Sequence, residues 1–333
     1  DRGYVRIYEN VNNSWTQIGS DIDGEAVGDM SGYSVSLSSD GSIVAIGAPR
    51  NDGNGIDSGH VRIYKNVNNT WTQVGSDIDG EANSDQSGYS VSLSSDGSIV
   101  AIGAPYNYSH RFGHVRIYKN VNNNWTQIGS DIEGEAFKDR LGFSVSLSAD
   151  GSVVAVGAPD EYFGGTGEGH NGFAAIYQNI NNSWTQIGSN IVGLSGWDNF
   201  GYSVSISDDG SSVAIGADGH DSNGRESGHV QIYQVTYGTG TTLSDLQALK
   251  YIASNPDLIA AFGIDIEAAK SHYENYGKSE GRSLTAFSAI DYLAKYSDLS
   301  AAFGNDQNLA LKHYIQSGSV SYTHLTLPTT SCV

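Results

Sequence analysis

The sequence predicts a mainly β chain of repeated four-stranded antiparallel sheets, followed by a small helical module, and three observations predict it. A unit such as "GHVRIYKNVNNTWTQVGSDIDGEA", starting at Gly59, returns at Gly3, Gly113, Gly172 and Gly228, in steps of 56, 54, 59 and 56. Periods of this size mark sheets or coils stacked on their own copies. Within one unit, "YSVSLS" (89–94) alternates Tyr89, Val91 and Leu93 with serines, the period-2 pattern of a strand with two unlike faces. From about Thr241 that alternation gives way to helical spacing.

The elements of one repeat follow in order. After "YSVSLS" the turn Ser95, Asp96, Gly97 supplies residues that tolerate positive φ, and "SIVAIGAP" (98–105) continues as a nearly all-apolar strand. A variable loop then leads to "HVRIYKN" and "WTQVGS", which are joined through Val67, Asn68 and Asn69. A sheet whose second strand is apolar on both faces must be covered on both sides by like sheets. Radial stacking as blades of a β-propeller meets that need. A β-solenoid is the alternative, although its coils are usually shorter than ~50 residues. The small residues of "YSVSLS" suit the innermost strand, and Trp71 suits the rim. The repeats divide into a half blade at 1–26, blades at 30–82, 86–136, 140–194 and 199–236, and a linker at 237–243.

The stretch "SGYSVSLSSDGSIVAIGAP" resembles the FG-GAP repeat family of integrin-α-like β-propellers. The naming letters stand as Gly142, Phe143 with Gly157, Ala158, Pro159, and other copies read Gly32, Tyr33 with Gly47, Ala48, Pro49 and Gly88, Tyr89 with Gly103, Ala104, Pro105. The last copy departs, with Gly216, Ala217, Asp218. The resemblance covers roughly residues 1–236 and implies a seven-bladed extracellular binding or adhesion platform. On that reading the chain is a fragment of a longer protein. Integrin-type calcium loops have a longer D-x-D-x-D-G pattern where this chain has only "SSDGS", so that family site is not carried over.

In the helical module (244–318), Ser244 with Gln247 forms a capping-box signal, followed by Leu246, Leu249 and Ile252 at helical steps. "YIASNPDLIAAFG" (251–263) returns as "YLAKYSDLSAAFG" (292–304), and His272, Tyr273 return as His313, Tyr314, all offset by 41. Asn255 before Pro256 reads as an N-cap. The unit resembles short helical repeats of bacterial surface and secreted proteins. The tail "SVSYTHLTLPTTSCV" breaks the 41-residue register and closely resembles translated sequencing-adapter sequence, so residues from 319 onward read as non-native.

Composition excludes some function classes. With 17 Lys+Arg against 37 Asp+Glu, the net charge of −20 repels nucleic acid and anionic membrane surfaces. No apolar run approaches the ~20 residues that span a bilayer. The single cysteine, Cys332, removes any disulfide framework, cysteine zinc site or cysteine nucleophile.

Candidate sites follow the variable loops, where a repeated scaffold usually carries its ligand contacts. Tyr106, Tyr108, His110 and Arg111 in one loop and Tyr162 and Phe163 in the next are the ligand-binding candidates. Asp52, Asn54 and Asp57, and separately Asp218, Asp221 and Asn223, are candidate oxygen ligands for calcium, the one cofactor suggested. The acidic corner Asp77, Asp79, Glu81 recurs as Asp21, Asp23, Glu25 and Asp131, Glu133, Glu135, with a further aspartate at Asp29, Asp85 and Asp139, but the fourth copy reads Asn190, Val192, Leu194. Its constant member is an isoleucine (Ile22, Ile78, Ile132, Ile191), so it reads as an apolar peg under solvated acids, with calcium the minor alternative. His60, His114 and His229 share one strand-end position, and Arg6, Arg62 and Arg116 alternate outward from a strand. The sequons at Asn12, Asn68, Asn107 and Asn181 mostly coincide with tight turns.

The expected function is non-enzymatic: an extracellular or cell-surface adhesion or recognition protein that binds a protein or glycan through variable propeller loops. The alternative is an accessory or carrier of a calcium-dependent secreted hydrolase acting on glycans, which would need two converging carboxylates.

Overall fold

The computed structural model describes residues 2–106, 112–136, 138–159, 171–195, 198–221, 227–235, 243–277, 280–284, 286–304 and 306–317. The tail from 319 and the candidates Tyr108, His110, Arg111, Tyr162, Phe163 and Asn223, with Asn107, lie outside the described residues. The chain divides into two compact units, 1–238 and 239–333.

The first unit is a row of antiparallel sheets. A representative sheet runs Ser34–Leu37, Ile43–Ala48, His60–Val67, Thr70–Gln73 in spatial order, and the next two repeat it from Ser90–Leu93 and Ser144–Leu147. The last has three strands, Ser203–Ile206, Ser212–Ala217 and His229–Gln234. The four expected strands are joined by a fifth of two residues. Ile78–Asp79 pairs with the head of His60–Val67, Val61 opposite Ile78 and His60 opposite Asp79. The acidic corner is therefore partly sheet.

The turns explain the local sequence. Asn68 and Asn69 both have positive φ, 50° and 61°, as do the paired asparagines at 12–13, 122–123 and 181–182. This two-residue hairpin geometry favours asparagine, and it accounts for the sequons at Asn12, Asn68 and Asn181. In the other hairpin, Asp96 Oδ1 accepts from the Ser94 hydroxyl at 2.7 Å and from the Ser98 amide at 2.9 Å.

The core lies between sheets. Ala45, Val61, Ile63 and Ile78 of one sheet pack against Val91, Leu93, Val100, Ile102 and Tyr118 of the next. Each fully buried Val or Ile stabilises by about 1.5–3 kcal/mol, so a strand apolar on both faces serves two such layers. The "SVSL" strands of successive sheets stand side by side. Ser34 Oγ donates to the Gly88 carbonyl at 2.7 Å, Ser90 to Gly142 at 2.8 Å and Ser144 to Gly201 at 2.9 Å. The architecture is that of a partial propeller, with the serine strand innermost and the tryptophan strand at the opposite edge of each sheet.

In the second unit, α1 (Asp245–Ser254), α2 (Pro256–Phe262) and α3 (Ile266–His272) run into a π-turn at Tyr273–Gly277, and α4 (Ala289–Lys295), α5 (Ser297–Phe303) and α6 (Gln307–Ser317) follow. The Ser244–Gln247 capping box forms in full. Asn255 takes the N-cap position of α2 but makes no capping bond. Its amide donates instead to the carbonyls of Tyr251 and Ser283, at 2.7 and 2.8 Å. The 41-residue repeat is visible in paired contacts, Tyr251 to His272 and Tyr292 to His313, each at 2.9 Å. Among the described residues no helix is long and apolar enough to cross a membrane.

Candidate functional site

One end of the sheet row gathers both the variable loops and the crossings from sheet to sheet. Ser34, at the start of an innermost strand, lies opposite Gly47, near the end of the second, and the loop 49–59 leaves from that end. The crossings return there too, because the short fifth strands pair with the head of the third.

In each crossing a buried aspartate folds the chain. Asp29, Asp85, Asp139 and Asp198 accept the amides of Ala26, Ala82, Ala136 and Ser195, at 2.9, 2.8, 2.7 and 3.2 Å. Burial pushes the Asp85 carboxyl up. Immediately after comes a residue in the left-handed region, Met30, Gln86, Arg140 or Asn199, with φ of 59°, 55°, 55° and 53°. Its carbonyl accepts the amide of the aromatic residue three positions on.

This turn sets one ring per repeat at the head of each innermost strand. Tyr33 and Tyr89 lie 4.8 Å apart between ring centroids, Tyr89 and Phe143 4.9 Å, and Phe143 and Tyr202 5.0 Å. Tyr106, from the variable loop, meets Tyr89 edge-on at 5.6 Å. The Arg140 guanidinium stands 4.5 Å from the Phe143 ring centre and 5.3 Å from that of Tyr106. Burial raises the Tyr89 phenol. Tyr106 is the predicted ligand residue that joins this row. In the sequence Tyr33, Tyr89 and Phe143 read only as motif and strand residues and Tyr202 is not singled out, although an aromatic at every "GY" or "GF" is the available signal.

At the same end of the sheets a cavity of about 520 Å³ lies between the crossing 25–29 and the loop 50–57, its wall including Glu25, Asp29, Arg50, Asp52 and Asp57. Asp52 Oδ1 accepts the Asp57 amide at 2.8 Å, closing the loop on itself. Asn51 donates to Asp29 at 3.1 Å. Of the predicted oxygen ligands, Asp52 and Asp57 share this wall. Asn54 turns its amide to the next crossing, donating to the carbonyls of Gly80 and Glu81 at 2.9 and 3.2 Å. Asp218 belongs to the last sheet, where it accepts from Asn199 at 2.9 Å, and Asp221 follows it in the same loop. Among the described residues the two groups stay separate, as the sequence reading has them, Asp52 and Asp57 at this cavity and Asp218 and Asp221 in the loop of the last sheet.

The arginines correct the outward reading. Arg6 is exposed and paired with Asp21 at 2.7 Å, but Arg62 and Arg116 are buried. Each donates across the joint, to the carbonyl of Asp23 or Asp79 at 2.8 Å, with Glu25 or Glu81 at 3.5 and 3.4 Å. The preceding crossing covers the face that alternation assigns to water. Ile22, Ile78 and Ile132 are buried beneath it. Asp77 and Asp131 accept from Gln73 and Gln127, both at 2.6 Å, and Asn190 accepts from Gln186 at 2.7 Å. That position needs an acceptor oxygen, which asparagine supplies equally.

Comparison with solved structures finds a chain from Bacteroides uniformis named as a 6-phosphogluconolactonase, with 14% identity and a TM-score of 0.45, covering 69% of this chain. This chain spans 60% of that one. No curated protein sequence matches significantly. The family profile described as FG-GAP repeat matches residues 21–64 and 194–233. Each of these segments joins a crossing to the first three strands of the sheet that follows, so the sheets that begin at Ser34 and Ser203 match the FG-GAP repeat.

Proposed function

We propose that the chain is a non-enzymatic recognition module, extracellular or at a cell surface, that binds a protein or glycan ligand at the loop-bearing end of its sheets. The observation that carries this reading is the aromatic row. Four rings from four sheets form one line beside the variable loops, and Tyr33 and Tyr202 remain 45% exposed. Flat rings with a guanidinium among them offer stacking area at low entropic cost and a charged donor for orientation. The cavity adds a concave polar flank.

The hydrolase reading has less support. Asp29 and Asp52, on the cavity wall, are occupied with loop amides and do not stand free for acid–base work.

The test is binding to immobilised polysaccharides and to extracellular matrix proteins, with Arg140→Ala and Tyr106→Ala against Trp15→Ala as a control. The expected result is retention on one ligand class that both loop-end variants weaken at least tenfold, with unchanged circular dichroism. Turnover of a glycan by the wild type, or retention indifferent to both variants, overturns the reading.

A further inference from the structure

The joint between the first sheet and the second holds a side-chain group that the recognition surface does not use. His60 is 1% exposed. Its Nδ1 stands 3.7 Å from Asp77 Oδ2 and 4.0 Å from Glu25 Oε2, both too long for hydrogen bonds. The three potential ligand atoms lie within 4.8 Å of one another. Two carboxylates thus face a buried imidazole without bonding to it, a spacing that fits an ion between them better than direct contact.

The surroundings prepare each group. His60 is fixed at the head of its strand, in register with Asp79 of the short fifth strand. Gln73 holds Asp77 by Oδ1, leaving Oδ2 for His60. Arg62 approaches Glu25 at Oε1, leaving Oε2 on the histidine side, and is itself fixed by the Asp23 carbonyl. Such outer partners orient ligands at metal sites. Arg62 opposes a cation, but the two carboxylates leave the group net negative. The side chains of Glu25 and Asp77 are 48% and 28% exposed, so they can close in and water can complete the coordination.

The geometry points to Glu25, His60 and Asp77 as a binding site for a divalent transition ion of the zinc class, clipping the first crossing to the second sheet. One imidazole and two carboxylates form a donor set for zinc-class ions, whereas calcium prefers an all-oxygen shell. The site takes Glu25 and Asp77 from two copies of the acidic corner and shares no residue with the loop candidates Asp52, Asn54, Asp57, Asp218, Asp221 and Asn223. The other joints supply internal contrast. Glu81, His114 and Asp131 have the same residue types without that convergence among the described residues, and the fourth sheet carries Phe173 and Asn190 at the histidine and aspartate positions.

The test uses tag-free, chelator-treated full chain titrated with Zn²⁺ by calorimetry and followed by thermal melting. The expected result is saturable binding of about one ion with a raised melting temperature. His60→Phe, the side chain the fourth sheet tolerates, should abolish both effects, and His114→Phe should leave both. Asp77→Asn retains the acceptor for Gln73 and should weaken binding at least about tenfold, which keeps the test open if the histidine variant fails to fold. Zn²⁺ binding equal in wild type, His60→Phe and Asp77→Asn places the ion elsewhere and overturns the site. So does the lack of saturation at millimolar Zn²⁺.

Discussion

Trp125 Nε1 donates a 2.8 Å hydrogen bond to the carbonyl of Val74, which belongs to the preceding sheet. Trp71 does the same to Ile18 at 2.8 Å and Trp184 to Ile128 at 2.9 Å, whereas Trp15 in the first sheet is 71% exposed. At three of the joints the outer strand is therefore pinned to its neighbour by one indole. Trp125→Phe keeps most of the ring and loses the donor, so its urea midpoint should fall by the equivalent of about 1 kcal/mol. Trp15→Phe should shift the midpoint by less than about 0.5 kcal/mol. Equal effects would remove the hydrogen bond from the account.

Arg116 gives a stronger version of the same test. Its guanidinium is buried and donates to the Asp79 carbonyl while facing Glu81. Arg116→Met fills the aliphatic volume but leaves the carbonyl and carboxylate unanswered, and denaturant unfolding should register a loss of about 2 kcal/mol. Arg6→Met, at the exposed copy, should change stability little, because an exposed ion pair is screened by water.

Much of the fold was legible because the information is local. Alternation in "YSVSLS", paired asparagines at the hairpins and Ser244 with Gln247 each specify their own neighbours. What crosses a joint was not legible. Alternation states which face Arg62 takes but not that another sheet's crossing covers that face. The four aspartates Asp29, Asp85, Asp139 and Asp198 look like surface acids until the chain is seen folding over them. The aromatic row needs the lateral distance between innermost strands, which no single repeat contains. Within the site, Tyr106 is the ligand candidate among the described residues, and it meets the row from a loop whose sequence varies from copy to copy, so no repeat template could place it there.

Acid should weaken the sheets through His114. Burial pushes its imidazole from an ordinary value of 6.5 down to about 4, with Arg116 adding to the effect and Asp131 opposing it. Above roughly pH 6.5 both folded and unfolded chains hold it neutral. Between there and about 4 the unfolded chain binds a proton that the folded chain excludes, so stability falls as pH falls. The limit of this loss is on the order of 3 kcal/mol. The buried Asp85 carboxyl, raised in the folded chain, acts with the opposite sign. A direct comparison therefore isolates the histidine: His114→Phe should melt with a smaller drop between pH 7 and pH 4.5 than wild type. An identical drop would mean that His114 does not titrate with unfolding.

The second strand of one sheet approaches the head of the next sheet's innermost strand so closely that glycine is required where the backbones meet. A Cβ on Gly103 would fall inside van der Waals contact of the Gly142 carbonyl oxygen in the next sheet and of Ser90 Oγ in its own. Gly47 meets Gly88, and Gly157 meets Gly201, in the same way. Gly103→Ala must push two backbones apart and disturb the bond from Ser90 to Gly142, at a cost of about 2–3 kcal/mol. Gly41, in the hairpin turn, has φ of 69° and open space around it, so Gly41→Ala should cost only about 1 kcal/mol, from backbone strain alone. Thermal or urea unfolding of the two variants separates the causes. If Gly103→Ala is no worse than Gly41→Ala, the glycine of the "GAP" motif serves its own strand and not the approach of one sheet to the next.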